Sequence, residues 1–311
     1  MIDIEDIKAA RSRIHDAVRH TPILEVRQWR DALPCKVTMK LELQQVTGSF
    51  KARGAMNRVR TLSPAQLAHG LVTASGGNHG LAIARTGYVA GVPTKIFLPT
   101  NVAPDKIPKF KGWSADIEII GHNFDEANHH ALAYAAQTGA TYVHPFADAD
   151  VVAGQGTLGL EILEDMPEID VVLVAIGGGG LAAGLGTAIK TLRPDIRVIG
   201  IEPVGAPTLH AAMAAGHVVT LDKIDTCVPT MAARTTHPAV LTLIQNSLES
   251  VVLVTDEAMR KAAQSLWFEN GIAADLSGAA AIAALQSGAF RPDPGSHVCA
   301  IVCGAGNDGQ S

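Results

Sequence analysis

Aromatic side chains are scarce in this chain, at 4% of residues, and no run of lysine and arginine stands out against a formal net charge of −5. The first shortage argues against an aromatic-rich binding surface and the second against a nucleic-acid partner, which needs a basic footprint. Cysteine is sparse too: Cys35, Cys227, Cys299 and Cys303 fall in no metal-ligand spacing and form no disulfide framework. Buried thiols are the plain reading for most of them. Nothing at the N-terminus has the pattern of a signal peptide, and Ile2 to Val18, with its alternating charges, reads as an amphipathic helix. One uncharged stretch, Val171 to Ile189, has the length of a membrane span. Its central Gly177 to Gly180 breaks a continuous helix, because glycine costs helix stability. The stretch therefore reads as strand, glycine loop and helix, in a soluble cytoplasmic protein without a membrane partner. No internal repeat or low-complexity tract is visible.

What is present suits a large folded core. Of 311 residues 47% are hydrophobic and only 18% charged, which fits one large or two modest domains. Strands and helices alternate. Strands are expected at Val37 to Leu43, Leu71 to Ala74, Thr94 to Leu98, Asp116 to Ile120, Thr141 to Val143, Val171 to Ile176, Arg197 to Ile201, Val251 to Val254 and His297 to Cys303. Helices are expected between them, among them Gly54 to Arg60, Gly80 to Ala90, Lys106 to Trp113, Phe124 to Thr138, Gln155 to Asp165, Leu181 to Leu192, Pro207 to Ala215, Asp256 to Asn270 and Ser277 to Gln286. This implies an α/β architecture with helices over parallel sheets. A domain change is expected near Pro145 to Ala153, where polar and acidic residues interrupt the pattern.

Four segments are candidates for chemistry. GGGGLAAG, Gly177 to Gly184, follows a strand and opens a helix, so its backbone N–H groups can crowd around a phosphate. It lacks the Lys-Ser or Lys-Thr of a P-loop, but Gly178, Gly180 and Ala183 give G-x-G-x-x-A, with Glu202 roughly 20 residues on as a ribose partner. Dinucleotides and other phosphate ligands both remain open on this segment alone. Lys51, in VTGSFKARGA, lies among small residues; desolvation there lowers a lysine pKa and yields the neutral amine that Schiff-base chemistry requires. Ser75-Gly76-Gly77-Asn78-His79-Gly80, between strand and helix, can cradle a carboxylate, against a plainer role as a helix cap. Cys303 to Asn307 places small residues after the last strand, where a ligand can approach closely.

Together these segments resemble the fold-type II family of pyridoxal 5′-phosphate (PLP) enzymes, the tryptophan synthase β-like fold, and within it the serine/threonine dehydratases and serine racemases. The resemblance runs through nearly the whole chain in one order: SFKARGA, SGGNHG, VVAGQGTLGLEI from Val151, GGGGLAAG, GIEP from Gly200, SGAAAIAAL from Ser277, and CGAGN. It implies two open, mostly parallel sheets flanked by helices, residues 1–45 and 146–311 forming a large PLP-binding domain and 46–145 a small domain. It implies that Lys51 holds PLP as a Schiff base and removes the α-proton, and that Phe50 and Asn78 flank the ring. Gly177, Gly178, Gly179 and Gly180 would bind the phosphate, with Cys303 facing the pyridine nitrogen. Ser75, Gly76, Gly77, Asn78 and His79 would hold the substrate carboxylate. The implied reaction is α,β-elimination from a 3-hydroxy amino acid such as L-threonine or L-serine, giving a 2-oxo acid and ammonia, in a homodimer. A dinucleotide reading would leave Lys51 and the asparagine loop unexplained.

Several residues depart from the family pattern. Gly76 stands where racemases carry a second serine, which favours dehydration over racemisation. Ala52 and His79 differ from the residues of β-replacement enzymes such as cysteine synthase. Pro229-Thr230 replaces an Asp-Gly pair near the substrate, so a different hydroxy amino acid, 3-hydroxyaspartate for example, is an alternative. Glu202 and the Ala206 carbonyl match ligands of the family's Mg²⁺ or Ca²⁺ site, but Thr208 replaces the second acid. A PLP-binding regulatory protein is the non-enzymatic alternative, opposed by Lys51 and the complete asparagine loop. No C-terminal extension for an allosteric domain is visible in the sequence.

Overall fold

The computed structural model describes residues 2–27, 29, 30, 32, 33 and 35–310. In chain order its strands are β1 (Ile23–Val26), β2 (Lys36–Lys40), β3 (Leu71–Ala74), β4 (Thr94–Leu98), β5 (Asp116–Ile119), β6 (Thr141–Tyr142), β7 (Val171–Ala175), β8 (Arg197–Pro203), β9 (Ser250–Val254) and β10 (His297–Ile301). The helices are α1 (Ile4–Ile14), α2 (Lys51–Arg60), α3 (Pro64–Ala68), α4 (Asn78–Ala90), α5 (Ile107–Gly112), α6 (Phe124–Thr138), α7 (Ala149–Asp165), α8 (Gly180–Leu192), α9 (Thr208–Ala215), α10 (Pro238–Ser247), α11 (Asp256–Asn270) and α12 (Leu276–Gln286). One sheet runs β1-β2-β10-β7-β8-β9 and the other β5-β4-β3-β6. Every pairing is parallel except β1 with β2. This is the α/β fold of two mostly parallel, helix-flanked sheets that was expected. No described helix is long and apolar enough to cross a membrane.

The elements the sequence revealed best are those buried on both faces. Each residue of β7, VVLVA, is buried, as its β-branched run demands of a strand lying between β10 and β8. The sequence reading missed β1, an edge strand whose Ile23 and Leu24 stay exposed, so that no burial rhythm marks it. It also missed α3 and α10, each of which starts with a proline in its first turn, after Ser63 and His237. Helix α7 begins six residues before the expected Gln155, because Asp148 caps it through the N–H groups of Asp150 and Val151. The stretch taken as a domain change thus contains the first turn of a continuous helix.

Small residues let the helices approach closely. A Cβ at Gly184 of α8 would run into the Val152 carbonyl of α7. Beside this apolar packing lies a buried charge network. Arg53 of α2 donates to both oxygens of Glu42, at 2.7 and 2.8 Å, and to both of Glu161 on α7, at 2.6 and 2.9 Å. Lys40, fully buried at the end of β2, reaches Asp165 at 2.7 Å, the Thr21 carbonyl at 2.7 Å and Glu161 at 3.1 Å. Burial by itself raises the Glu161 carboxyl, but its bonds to Arg53 and Lys40 outweigh that and hold it below the ordinary carboxylate range. Asp165 is lowered in the same way by Lys40 and His20.

Removing one member of such a network leaves buried charge uncompensated. Arg53→Met keeps much of the side-chain volume and is expected to cost about 3–5 kcal/mol in urea denaturation; a loss below about 1 kcal/mol would show that the network is solvated. Because the carboxyls of Glu161 and Asp165 are depressed in the folded chain, their contribution is complete above the ordinary carboxylate range and fades as pH falls through the lower folded values. The wild-type melting temperature should therefore fall on acidification below about pH 4 by more than that of the variant.

Candidate active site

The loops that follow β3, β7 and β10 carry three of the four segments singled out above, each at the carboxyl end of its strand. The fourth, around Lys51, is tied to the loop after β10 by backbone. Ser49 and Gly304 form an antiparallel bridge, Phe50 N–H donates to the Cys303 carbonyl at 3.3 Å, and Ala305 N–H donates to the Gly48 carbonyl at 2.8 Å. Thr47 and Gly48 make the turn that permits this, both with positive φ. Lys51 then opens α2. Its Nζ donates to the Pro145 carbonyl at 2.7 Å and lies 5.1 Å from the centre of the Phe50 ring. Among the described residues no carboxylate pairs with it. Burial lowers the Lys51 amine to about 8, against a small upward pull from Cys303. Burial, and then the Lys51 charge, also keep two neighbouring imidazoles neutral, His79 at about 3 and His144 at about 4.

The glycine loop is pressed against two other segments. A Cβ at Gly178 would strike the Phe146 ring, one at Gly180 would lie 2.7 Å from the Phe146 carbonyl, and one at Gly177 would lie 2.5 Å from the Thr230 carbonyl. Gly179 caps α8 with φ +95°, a conformation that favours glycine. The Gly178 carbonyl is occupied by the Thr236 hydroxyl at 3.0 Å. Ala183 N–H bonds back to Gly179, so the N–H groups of Gly180, Leu181 and Ala182 precede the first turn's bonds and lack intrahelical acceptors. Such a helix start fits a phosphate.

In the asparagine loop the residues divide. Helix α4 starts at Asn78 with Gly77 as its cap and no side-chain capping bond. The Ser75 hydroxyl accepts the Gly77 N–H at 3.2 Å, while the Asn78 amide donates to Asp275 Oδ2 at 3.3 Å instead of capping. His79 turns inward: its Nε2 lies 3.1 Å from the Val143 carbonyl, so only its backbone N–H can serve a substrate carboxylate. A side chain at Gly76 would put its Cβ 3.0 Å from Val102 Cγ2.

Cys303 is buried, and its Sγ lies 3.8 Å from the Ser277 hydroxyl, which donates to Asp275 at 2.7 Å. Burial, with the Asp275 charge, pushes the thiol up to about 12, so it stays protonated. The sequence reading passed over Asp275. Its one local signal is an acidic residue three positions before Gly278, at the head of the small-residue helix α12. The reading also passed over His144, Pro145 and Phe146, which brace Lys51 and the glycine loop from the segment before α7.

Glu202 and Ala206, taken from sequence as cation ligands, are put to other uses. Glu202 is buried and accepts the N–H groups of Leu209 and His210, both at 2.9 Å, at the start of α9. The Ala206 carbonyl accepts Thr208 N–H at 3.0 Å, and the Thr208 hydroxyl donates to the Ala233 carbonyl. Among the described residues no group of three His, Cys, Asp or Glu side chains is placed to hold a metal ion. Buried and bonded in this way, Glu202 is no ribose partner either.

Comparison with known proteins agrees with this geometry. The family model described as pyridoxal-phosphate dependent enzyme matches residues 14–304. A biosynthetic L-threonine dehydratase of Halalkalibacterium halodurans is 36% identical over 312 residues, which is 99% of this chain and 75% of that protein. An L-threonine ammonia-lyase of Thermotoga maritima is 34% identical over 307 residues, 99% of this chain and 76% of its own. The solved structure of maize serine racemase superposes with a TM-score of 0.92 at 31% identity, over 97% of this chain and 93% of that one. With its lysine, glycine loop, asparagine loop and thiol assembled in one place, the chain belongs to the pyridoxal-phosphate-dependent enzyme family.

Proposed function

We propose that this chain is a PLP-dependent ammonia-lyase that dehydrates a 3-hydroxy amino acid such as L-threonine or L-serine to a 2-oxo acid and ammonia. The observation that carries the reading is Lys51: an inward-turned amine, lowered to about 8, with no carboxylate partner among the described residues. The surroundings fit the cofactor. The N–H groups at the head of α8 suit its phosphate, and the neutral Cys303 thiol presents no charge to the ring nitrogen. When bound, PLP supplies an electron sink that acidifies the Cα–H of an attached amino acid.

The chain's own residues supply the rest. Lys51 would anchor the cofactor, and its free amine would take the proton from the substrate's Cα. Phe50 and Asn78 border the ring. The Ser75 hydroxyl and the N–H groups at the start of α4 hold the substrate carboxylate. On the opposite face Gly76 offers no group to return a proton, which supports elimination over racemisation. The curated relatives named as threonine dehydratases and ammonia-lyases support the same choice of reaction. We place residues 1–45 and 146–311 in a large cofactor-holding domain and 46–145 in a small one, because the strands of the four-stranded sheet all lie between residues 71 and 142. A cytoplasmic homodimer is the proposed setting. Trp267 and the 79% exposed Phe268 on α11 support association.

Purified protein is expected to show a visible cofactor band that Lys51→Ala abolishes together with oxo-acid production; a band unchanged in the variant would refute the site. The neutral amine is the attacking form. Attachment of added PLP to cofactor-free protein should therefore speed up with rising pH and level off above about 8. A panel of 3-hydroxy amino acids in deuterated water, followed by chiral analysis of recovered substrate, tests the reaction. Release of 2-oxo acid with retained configuration is expected. Efficient inversion without elimination would establish a racemase instead.

A further inference from the structure

Asp275 is a half-buried carboxylate that the proposed mechanism does not use, and three separate observations converge on it. It caps α12, its Oδ1 accepting Gly278 N–H at 2.6 Å and the Ser277 hydroxyl at 2.7 Å. Its Oδ2 accepts the Asn78 amide at 3.3 Å, across the site from α12. Finally, the CGAGN run is small because of it. A Cβ at Gly304 would lie 2.6 Å from Asp275 Oδ2 and 3.1 Å from the Asn78 amide nitrogen, and one at Gly306 would lie 2.7 Å from the Asp275 Cα. The two glycines leave room for the carboxylate–amide pair.

The hydrogen inventory fixes a direction along this chain of contacts. Burial raises the Asp275 carboxyl, but its Oδ1 takes the Gly278 N–H and so stands as an acceptor. Ser277 has one hydroxyl proton, and it is committed to Asp275. At its 3.8 Å contact with Cys303 the Ser277 oxygen can therefore only accept, and the thiol must donate. The Cys303 proton is drawn toward α12, and the sulfur turns lone pairs to its other side.

We propose that Asp275 is a positioning residue of this site: one oxygen holds the Asn78 amide, and the other, through Ser277, sets the direction of the Cys303 thiol proton. This rests on the reading that Asn78 and Cys303 border the cofactor ring, so that one carboxylate orients both groups that meet the ring's polar atoms. A purely structural cap would hold α12 in place and leave the cofactor's electronic environment unchanged.

The experiment compares wild-type holoenzyme with Ser277→Ala, Ser277→Thr and Asp275→Asn by visible absorption, kcat, KM and melting temperature. Ser277→Ala keeps the Asp275–Asn78 and Asp275–Gly278 contacts and removes only the arm to Cys303. It should shift the cofactor band and lower kcat roughly tenfold, with KM changed less than about twofold. Ser277→Thr, which restores the hydroxyl, should return both toward wild type. Asp275→Asn still caps α12 but brings an amide against the Asn78 amide, and should perturb the band more than Ser277→Ala does. A wild-type band and kcat in Ser277→Ala would overturn the proposal, and the two Ser277 variants decide it even if Asp275→Asn fails to fold. Failure of the underlying site is read separately, from a band that persists in Lys51→Ala.

Discussion

A primary amine whose charge is disfavoured by desolvation, with no carboxylate beside it among the described residues, is the constraint from which the rest of this structure follows. Desolvation disfavours the charged form of Lys51, and a partner acid would cancel the effect by restoring the proton. The helix that carries Lys51 must therefore be anchored by something else. Arg53 does this two residues on, about 200° around the helix, where it grips Glu42 and Glu161. One face of α2 is over-supplied with ion pairs so that the other can go without. The nearby imidazoles obey the same requirement, since His79 and His144 are held neutral.

The same constraint explains the segment before α7. The Pro145 carbonyl gives Lys51 a neutral acceptor, while Phe146 closes over the glycine loop. His144 holds this turn in shape, its Nδ1 accepting the N–H groups of Phe146 and Ala147 at 3.2 and 3.0 Å, with its ring packed edge-on to Phe146 at 4.6 Å. Lysine and phosphate cradle are thus set by one short stretch. A chain poor in aromatics spends one of its seven phenylalanines there.

How much of this could be read from the sequence depended on whether the signal was local. Strand ends followed by glycine or by small residues are local, so the loops after β3, β7 and β10 were found with their residues. Arg53, Glu42, Glu161, Lys40 and Asp165 meet only after folding, and no spacing announces them. Exposed β1 lacked the burial rhythm that revealed β7. Glu202 shows the reverse failure. A carboxylate at a strand end suits a ribose or a cation equally well in sequence, and only the fold shows it turned onto the N–H groups that start α9. Asn78 likewise looked like a possible helix cap, whereas its amide reaches Asp275, 197 residues away.

In the proposed reading, the two sides of the site differ in what they can do to a substrate's α-carbon. One side carries Lys51, close to neutrality in proton affinity and able to take a proton. The other carries Gly76, with Val102 packed so near that even a Cβ would be tight. Inverting the α-carbon requires a donor opposite the base, and Gly76 has no side chain to supply one. What remains available to a substrate that has lost its α-proton is expulsion of a group from its β-carbon. On that reading a preference for elimination follows from the missing side chain at Gly76 as much as from the lysine that begins the reaction.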